Sequence, residues 1–188
     1  MANYNITYNG LKVNVVDETS VLKYDYQEHP FKPVKIGKLF WSTALLNIND
    51  GGTGIIDKTN VDVNGTIFPH VFYYNKTAIN RFISKYPGWR VPTVEETNEM
   101  VNLLGGFNST VAQKLKSTEV WTNPGNNETH FNAIPYGIIQ PNGNLVNVGW
   151  ESTFWQNDSY RMYILNDNQI VNGVEDLNYK YPLRLVMR

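Results

Sequence analysis

The sequence predicts an α+β fold in which short antiparallel strands outnumber the helices. Strand-like alternation of polar and apolar residues occupies the first fifteen residues and recurs through most of the chain after Glu119. Between these regions, two segments carry apolar residues at helical spacing, and a capping pair precedes the second of them. Strands joined by turns, with helices grouped in the middle of the chain, are typical of antiparallel α+β proteins.

Residues 1–33 are predicted to form a hairpin followed by a linker. Polar and apolar residues alternate on both sides of Asn9-Gly10, a pair that favours tight hairpin turns. Pro30 and Pro33 favour an extended connector to the main domain, residues 34–188. We expect the hairpin to dock on a neighbouring protein, and an extra edge on the sheet of the main domain is an equally good interpretation.

Two helices and a shorter third are predicted after the first strands. From Lys76 to Tyr86 the apolar residues recur every three or four positions, which is typical of a surface helix. Thr93 and Glu96 form a capping box that opens a second helix, which runs through Leu104 and stops at Gly105-Gly106. The third helix is expected from about residue 110 to residue 116.

The motif Trp89-Arg90-Val91-Pro92 is predicted to be a short extended piece with an architectural role. Its aromatic and β-branched side chains would pack inward, and the proline stops the strand just before the helix cap. Arg90 is expected to pair with a carboxylate of the next helix. Glu95, Glu96 and Glu99 remain open as its partner.

The second half of the chain is predicted to consist of strands and turns. Asn-Asp-Asn at 166–168 and Gln-Pro-Asn-Gly at 140–143 are turn sequences, each between two strand-like segments. The predicted strands are Tyr136–Ile139, Leu145–Val148, Tyr160–Leu165, Gln169–Val171 and Leu183–Met187.

Composition excludes several classes of partner and site. The chain has 16 Lys and Arg against 17 Asp and Glu, so no broad positive charge attracts nucleic acid or an anionic membrane. It contains no cysteine, which excludes disulfides, thiolate metal sites and thiol nucleophiles. No apolar run approaches the length of a membrane span.

The first sixteen residues lack the basic start and the apolar core of a secretory signal peptide. We therefore expect synthesis in a bacterial cytoplasm, with release by lysis or inside a particle.

A series of anchors in the main domain resembles one known family. In chain order they are Lys35-Ile-Gly-Lys-Leu-Phe-Trp41, Gly88-Trp-Arg-Val-Pro-Thr93 with Glu95 and Glu96, Gly105-Gly106, Lys114-Leu-Lys-Ser-Thr118, Phe131-Asn-Ala-Ile-Pro-Tyr-Gly137, Asn147-Val-Gly149, Phe154-Trp155 and Pro182-Leu-Arg-Leu-Val186. This order is similar to that of the Fibrobacter succinogenes major paralogous domain, over roughly residues 34–188. The cysteines of many secreted members are missing. The usual Trp-Ser-Ser-Thr is replaced by Trp-Glu-Ser-Thr at 150–153, followed by Phe-Trp-Gln-Asn at 154–157.

The resemblance implies a C-type-lectin-like fold, related to that of formylglycine-generating enzymes. It implies a twisted antiparallel sheet with two main helices, paired terminal strands and long loops in the second half. It implies no chemistry of its own, because fold does not fix function. Related lectin-like folds serve bacteriophages as receptor-binding tips.

Three kinds of chemical site are disfavoured by the residues themselves. Gln140-Pro-Asn-Gly143 resembles a lectin calcium triplet, but ordinary turn chemistry is the better interpretation because few carboxylates support it. The three histidines have no metal-ligand spacing, so we expect no metal and no cofactor. Glu119, Glu128, Glu151 and Asp158 fall in the loop-rich half, yet no pair of them is marked out for glycoside hydrolysis. We predict that the protein is not an enzyme, and a hydrolase is the weakest alternative.

The predicted binding residues are aromatic and amide side chains of the loops in the second half. Aromatic rings stack on sugars or anchor protein contacts, and amides donate and accept hydrogen bonds without a charge to desolvate. The candidates are Trp121, Asn123, Asn126, Asn127, Trp150, Trp155, Asn157, Asp158 and Tyr160. The alternative for Trp121, Trp150 and Trp155 is a place in the core.

These observations together favour a bacteriophage virion protein, such as a head-fibre, decoration or tail-adhesin subunit. We expect a homo-oligomer that attaches to other virion proteins through the N-terminal segment and binds host-surface glycan through the loops. The alternative is a bacterial carbohydrate-binding or adhesion domain that acts without a particle.

Overall fold

The computed structural model describes residues 4–8, 11–15, 31, 33–44, 46, 48–157, 160–174 and 178–188. The strands are β1 Tyr4–Tyr8, β2 Leu11–Val15, β3 Val34–Ile36, β4 Leu39–Trp41, β5 Ile55–Val63, β6 Thr66–Tyr74, β7 Ile138–Ile139, β8 Leu145–Val146, β9 Glu151–Trp155, β10 Tyr160–Leu165, β11 Ile170–Val174 and β12 Val186–Met187. The helices are α1 Lys76–Ile83, α2 Val94–Leu104 and α3 Ser109–Leu115.

The fold is α+β with antiparallel strands, as the sequence predicts. Within the described residues the sheets are β1-β2, β3-β4-β12, β5-β6, β7-β8 and β9-β10-β11, and every pair in them is antiparallel. The predicted N-terminal hairpin is confirmed, with Tyr4 opposite Val15 and Tyr8 opposite Leu11. Its turn at Asn9-Gly10 lies outside the described residues.

The first and last strands of the main domain lie in one sheet. Trp41 of β4 pairs with Val34 on one side and with Val186 on the other. A further antiparallel bridge joins Arg90 to Val186, so the predicted extended piece before α2 continues this sheet. The last strand is shorter than the predicted Leu183–Met187. In the segment before this strand, the buried guanidinium of Arg184 donates to the backbone carbonyl groups of residues 42, 131 and 132.

The longest strands, β5 and β6, form a hairpin that the sequence prediction did not single out. Its turn is Asn64-Gly65, with φ angles of 50° and 88°. Positive φ at both central residues is the geometry that Asn-Gly pairs favour in two-residue hairpin turns. The buried inner face of the hairpin includes Val61, Val63 and Tyr73.

Helix positions agree with the sequence except at one end. The capping box is present: the Thr93 hydroxyl accepts from the Glu96 N–H, and the Glu96 carboxylate accepts from the Thr93 N–H. The first helix ends at Ile83 rather than at the predicted Tyr86, because Pro87 disfavours helical backbone at the residue before it.

Two surface features are fixed by ion pairs. The Arg90 guanidinium binds the Glu96 carboxylate, with NH1 at 2.6 Å from Oε2, and Glu96 is thus the partner among the three candidates. The glycine-rich segment 50–54 is held to α1: the Asp50 carboxylate accepts from Arg81 Nε at 2.6 Å and from NH2 at 2.7 Å.

The core of the main domain reaches back into the predicted linker. Phe31 is 3% exposed, and its ring centroid lies 5.0 Å from that of Trp89 in an edge-on contact. A second group of buried side chains packs β3, β4, β9 and β10 against α2 and α3, and includes Trp41, Phe131 and Phe154. The loops of the second half are anchored on this layer.

Candidate functional site

The predicted binding residues separate into two groups at opposite ends of the β9-β10 hairpin. One group consists of Trp150, directly before β9, and of the residues in the loop after α3, which are Trp121, Asn123, Asn126 and Asn127. The other lies where β9 runs into β10, and comprises Trp155, Asn157 and Tyr160. Asp158 belongs with this second group by sequence but lies outside the described residues. The structure therefore does not gather the candidates into one site.

The second group is largely structural. Trp155 is fully buried, its indole N–H donates to the Tyr74 carbonyl at 2.6 Å, and its ring packs edge-on against Tyr181 at 4.8 Å. The Asn157 backbone N–H donates to the Pro92 carbonyl, and Tyr160 is 37% exposed. Trp155 is thus a core residue, which was the alternative weighed for it.

The loop after α3 also buries its aromatic residue. Trp121 is 5% exposed and donates its indole N–H to the Ala133 carbonyl at 2.9 Å. Asn126 and Asn127 use their side-chain oxygens to accept backbone N–H groups, from Glu128 at 3.1 Å and from Asn132 at 2.9 Å. These three candidates shape the loop, and a surface ligand has no access to the Trp121 ring.

Trp150 differs from the other candidate tryptophans because half of its side chain, 49%, is exposed. It ends a turn in which its backbone N–H donates to the Asn147 carbonyl at 3.1 Å. Asn147 and Gly149 have φ angles of 61° and 79°, so the turn is built from two left-handed residues. Asparagine and glycine are the residues that adopt this backbone at least cost.

Asn166 joins the Trp150 turn to the loop after α3. Its backbone N–H donates to the Trp150 carbonyl at 2.9 Å, and its side-chain oxygen accepts from the Asn123 N–H at 2.8 Å. Asn166 is 8% exposed, so both bonds are largely shielded from water. The exposed Asn123 is therefore held close to Trp150.

The tip of the β5-β6 hairpin closes the other side of this arrangement. The Asn64 side-chain N–H donates to the Val120 carbonyl at 2.8 Å. The Asn64 side-chain oxygen lies 2.7 Å from where a Cβ on Gly149 would be, so the hairpin tip touches the Trp150 turn. We call the exposed face of the four segments 64–65, 119–123, 147–150 and 166–168 the Trp150 surface.

A buried lysine fixes the loops beneath this surface. Lys116 is fully buried, and its ammonium group donates to the Asn123 carbonyl, to the Asn166 carbonyl at 3.2 Å and to the Asn168 side-chain oxygen at 2.9 Å. It also lies 4.3 Å from the centroid of the Trp121 ring. Burial lowers the pKa of this ammonium group to about 8, although Asp167 opposes the shift.

A buried carboxylate supports the Trp150 turn from inside. Glu151 is 6% exposed and accepts from the Asn147 side chain at 2.8 Å and from the Thr153 hydroxyl. Arg161 lies at 3.4 Å from the same carboxylate. These contacts hold Asn147 in its left-handed conformation at the start of the turn.

Val120 carries backbone strain beside the surface. Its φ of 64° is in the left-handed region, where a β-branched residue is a genuine outlier. Such strain persists only where surrounding contacts impose it, and it concentrates at functional sites. The hydrogen bond from Asn64 to the Val120 carbonyl is one such contact.

The Trp150 surface combines an exposed aromatic ring with amide side chains. An exposed indole offers a face for stacking, and the segments of this surface also contain the exposed residues Asn64, Asn123 and Asn147, which carry amide groups. Of the carboxylates considered for hydrolysis, Glu151 is committed to the turn, and Glu128 lies 3.5 Å from Lys114. Within the described residues, no group of three or more His, Cys, Asp or Glu is placed to hold a metal ion.

A separate groove lies between the β3-β4 turn and α2. It encloses a cavity of about 190 Å³ with a mainly apolar lining, including Ile36, Trp41 and Met100. Leu103 on its rim is 61% exposed. None of the predicted binding residues lines this groove.

The residues that organise the Trp150 surface were missed by the sequence analysis. Lys116 belongs to the anchor Lys114-Leu-Lys-Ser-Thr118, but nothing in the sequence marks it as buried, since a lysine at the end of a helix is ordinarily solvated. Asn64-Gly65 did carry one, because it is the same pair as Asn9-Gly10. Asn166 was recognised only as part of a turn.

None of the described helices is long and apolar enough to cross a membrane. No protein-family model matches this sequence, and no curated protein and no solved structure matches it either. The Trp150 surface is therefore interpreted from its own geometry and chemistry.

Proposed function

We propose that this protein is a subunit of a bacteriophage particle, a head-fibre, decoration or tail-adhesin component, that displays a C-type-lectin-like domain for attachment to host-surface glycan. The observation that carries the binding half of the proposal is the exposure of Trp150 among loops that are already fixed. A ligand that meets a preorganised surface loses less affinity to the ordering of side chains.

The proposed lectin-like fold is supported by the position of the terminal strands. In the resembling family the first and last strands of the domain pair, and here the last strand, β12, pairs with the second strand, β4, in a sheet whose other edge is the first strand, β3. The long stretch between Leu115 and β9 consists mainly of loops, as that fold also requires.

The proposed attachment to a phage particle is supported by the N-terminal hairpin. β1 and β2 form their own two-stranded sheet within the described residues. An isolated hairpin of two strands is marginally stable in water, so an attachment role would give it a surface to pack against. In a virion adhesin one part is attached to the particle and another is displayed, and the division into an N-terminal hairpin and a main domain fits this arrangement.

An array of purified bacterial surface polysaccharides tests the binding half. We expect the multimerised wild-type chain to bind a subset of them and Trp150→Ala to lose that binding. Phe107→Ala is the matched control, because Phe107 is also exposed, at 45%, but lies in the turn between α2 and α3. Retention of binding by Trp150→Ala contradicts the proposed site.

Mass spectrometry of purified phage particles tests the other half. Detection of the chain in stoichiometric amounts supports the virion role. Its absence from the particles, together with glycan binding by the free protein, would instead identify an adhesion domain that acts alone.

A further inference from the structure

The charge of the Trp150 surface restricts the class of glycan it can take, an inference that rests on the proposed function. The four segments of the surface contain two carboxylates, Glu119 and Asp167, and neither lysine, arginine nor histidine. Both carboxylates belong to exposed residues. The surface therefore presents an exposed ring, amides and negative charge.

Within the described residues these carboxylates have no cation in direct contact, although the buried Lys116 interacts with Asp167 at longer range. Within the described part of the chain, neither Glu119 nor Asp167 takes part in an ion pair. Asp167 accepts hydrogen bonds from its neighbour Gln169, at 2.9 Å from the side chain, which leaves its charge in place. Asp62 adds a third exposed carboxylate next to the hairpin tip, where it accepts from the Gly65 N–H at 2.7 Å.

Lys116 is the cation that these loops surround, and it does not face outward. An ammonium group has three N–H donors. Those of Lys116 meet three acceptors inside the loops, on Asn123, Asn166 and Asn168. Its hydrogen-bond donors are thus used to hold the loops together, and its buried charge offsets part of the negative charge of the carboxylates.

We infer that the Trp150 surface selects uncharged glycans and rejects acidic ones, such as those that carry uronic acid, sialic acid or phosphate groups. A negative group held about 8 Å from one exposed carboxylate in water loses roughly twofold in affinity at low salt. Three carboxylates together disfavour it by roughly tenfold, and the buried charge of Lys116 reduces this effect to roughly fivefold. Added salt screens this repulsion, since the Debye length at physiological salt is about 8 Å.

The test uses the polysaccharide array with a chemically matched pair for each hit. Each uncharged polysaccharide that binds is carboxymethylated and measured again at low and high salt. The key variant is the double substitution Glu119→Gln/Asp167→Asn, which removes charge but keeps polar groups of similar shape. The control is Glu95→Gln/Glu99→Gln, which changes the net charge equally on α2, away from the Trp150 surface.

We expect carboxymethylation to weaken binding of the wild type roughly fivefold at low salt, and less at high salt. The Glu119→Gln/Asp167→Asn variant should regain most of this loss, whereas the α2 control should behave like the wild type. Equal or tighter binding of acidic polysaccharides by the wild type overturns the inference while leaving glycan binding intact. Binding that Trp150→Ala does not reduce overturns the proposed site itself.

Discussion

The backbone N–H of Asn166 donates to the carbonyl of Trp150 at 2.9 Å, so the residue that exposes its indole is tied to a turn that begins sixteen residues further along the chain. Through its side-chain oxygen Asn166 also holds Asn123. One buried asparagine therefore sets the relative position of the exposed ring and the loop beside it.

Substitution of Asn166 should weaken both the fold and glycan binding. Asn166→Ala removes the acceptor for the Asn123 N–H, and we expect unfolding free energy to fall by about 1–2 kcal/mol and affinity to fall several-fold. Asn166→Asp keeps the acceptor oxygen and should retain binding. Affinity measured by isothermal titration, with stability from urea unfolding, checks both variants. If Asn166→Ala binds as tightly as the wild type, the hydrogen bond between the Asn166 side chain and the Asn123 N–H does not organise the surface.

Lys116 should contribute strongly to stability. Lys116→Met fills a similar volume but leaves acceptors on Asn123, Asn166 and Asn168 without the ammonium donor, which we expect to cost about 2 kcal/mol or more in urea unfolding. Lys114→Met is the matched control, because Lys114 is partly exposed and its carboxylate partner Glu128 lies at 3.5 Å. That substitution should cost less than about 1 kcal/mol. Similar losses for the two lysines would contradict a special role for the buried ammonium group.

The approach of the hairpin tip to the Trp150 turn can be measured with two glycines. Gly149 and Gly143 have φ angles of 79° and 85°, so alanine at either position is strained by about 1–2 kcal/mol. A Cβ at 149 would also meet the Asn64 side chain at 2.7 Å, whereas nothing lies within 4 Å at 143. We therefore expect Gly149→Ala to destabilise more than Gly143→Ala in thermal unfolding. Equal effects would mean that Asn64 moves aside freely.

Acid should weaken the start of α2 through a known pair. The Arg90 guanidinium, aided by the Thr93 N–H, holds the pKa of Glu96 below its usual range. The folded state thus keeps this carboxylate ionised at a pH where the unfolded chain, with a pKa of about 4.3, has begun to bind a proton. The pair's stabilisation, about 1 kcal/mol at this partly exposed site, is complete above that value and disappears as the pH falls through the lower folded pKa.

Urea unfolding from neutral to acidic pH checks this prediction. Glu96→Gln should lose stability less steeply than the wild type as the pH falls, whereas Glu99→Gln, on the same helix without an ion pair in the described structure, should follow the wild type. Parallel curves for Glu96→Gln and the wild type would show that the pair does not contribute.

Local sequence signals predicted most of the elements, because the physics that sets them is local. Thr93 and Glu96 are three residues apart and cap the helix from within its own first turn. The turns at 140–143 and 166–168 are likewise set by their own residues: the Gly143 N–H donates to Gln140, and the Asn168 N–H donates to Leu165. The prediction for α1 ended three residues too late, at Tyr86 rather than Ile83, because it did not allow for the effect of Pro87 on the backbone before it.

The candidate site was only partly predictable, because burial depends on partners far along the chain. Trp121, Trp150 and Trp155 have similar polar neighbours in the sequence, yet only Trp150 is exposed. Trp155 is buried by Tyr74 and Tyr181, and Trp121 by Lys116 and Ala133. Composition alone does not reveal which tryptophan meets such a partner. The choice is made by the packing of β9 and α3 against the rest of the core.

The affinity of Trp150 variants for the bound polysaccharide tests the central claim most directly. Trp150→Phe keeps an aromatic face and should retain most of the affinity, whereas Trp150→Ala should lose more than about tenfold because stacking is removed. Trp150→Phe should unfold at nearly the wild-type urea concentration, whereas Trp150→Ala should lose about 1–2 kcal/mol because half of the side chain is buried. An unchanged affinity in a folded Trp150→Ala protein would contradict the account and place any glycan contact elsewhere on the molecule.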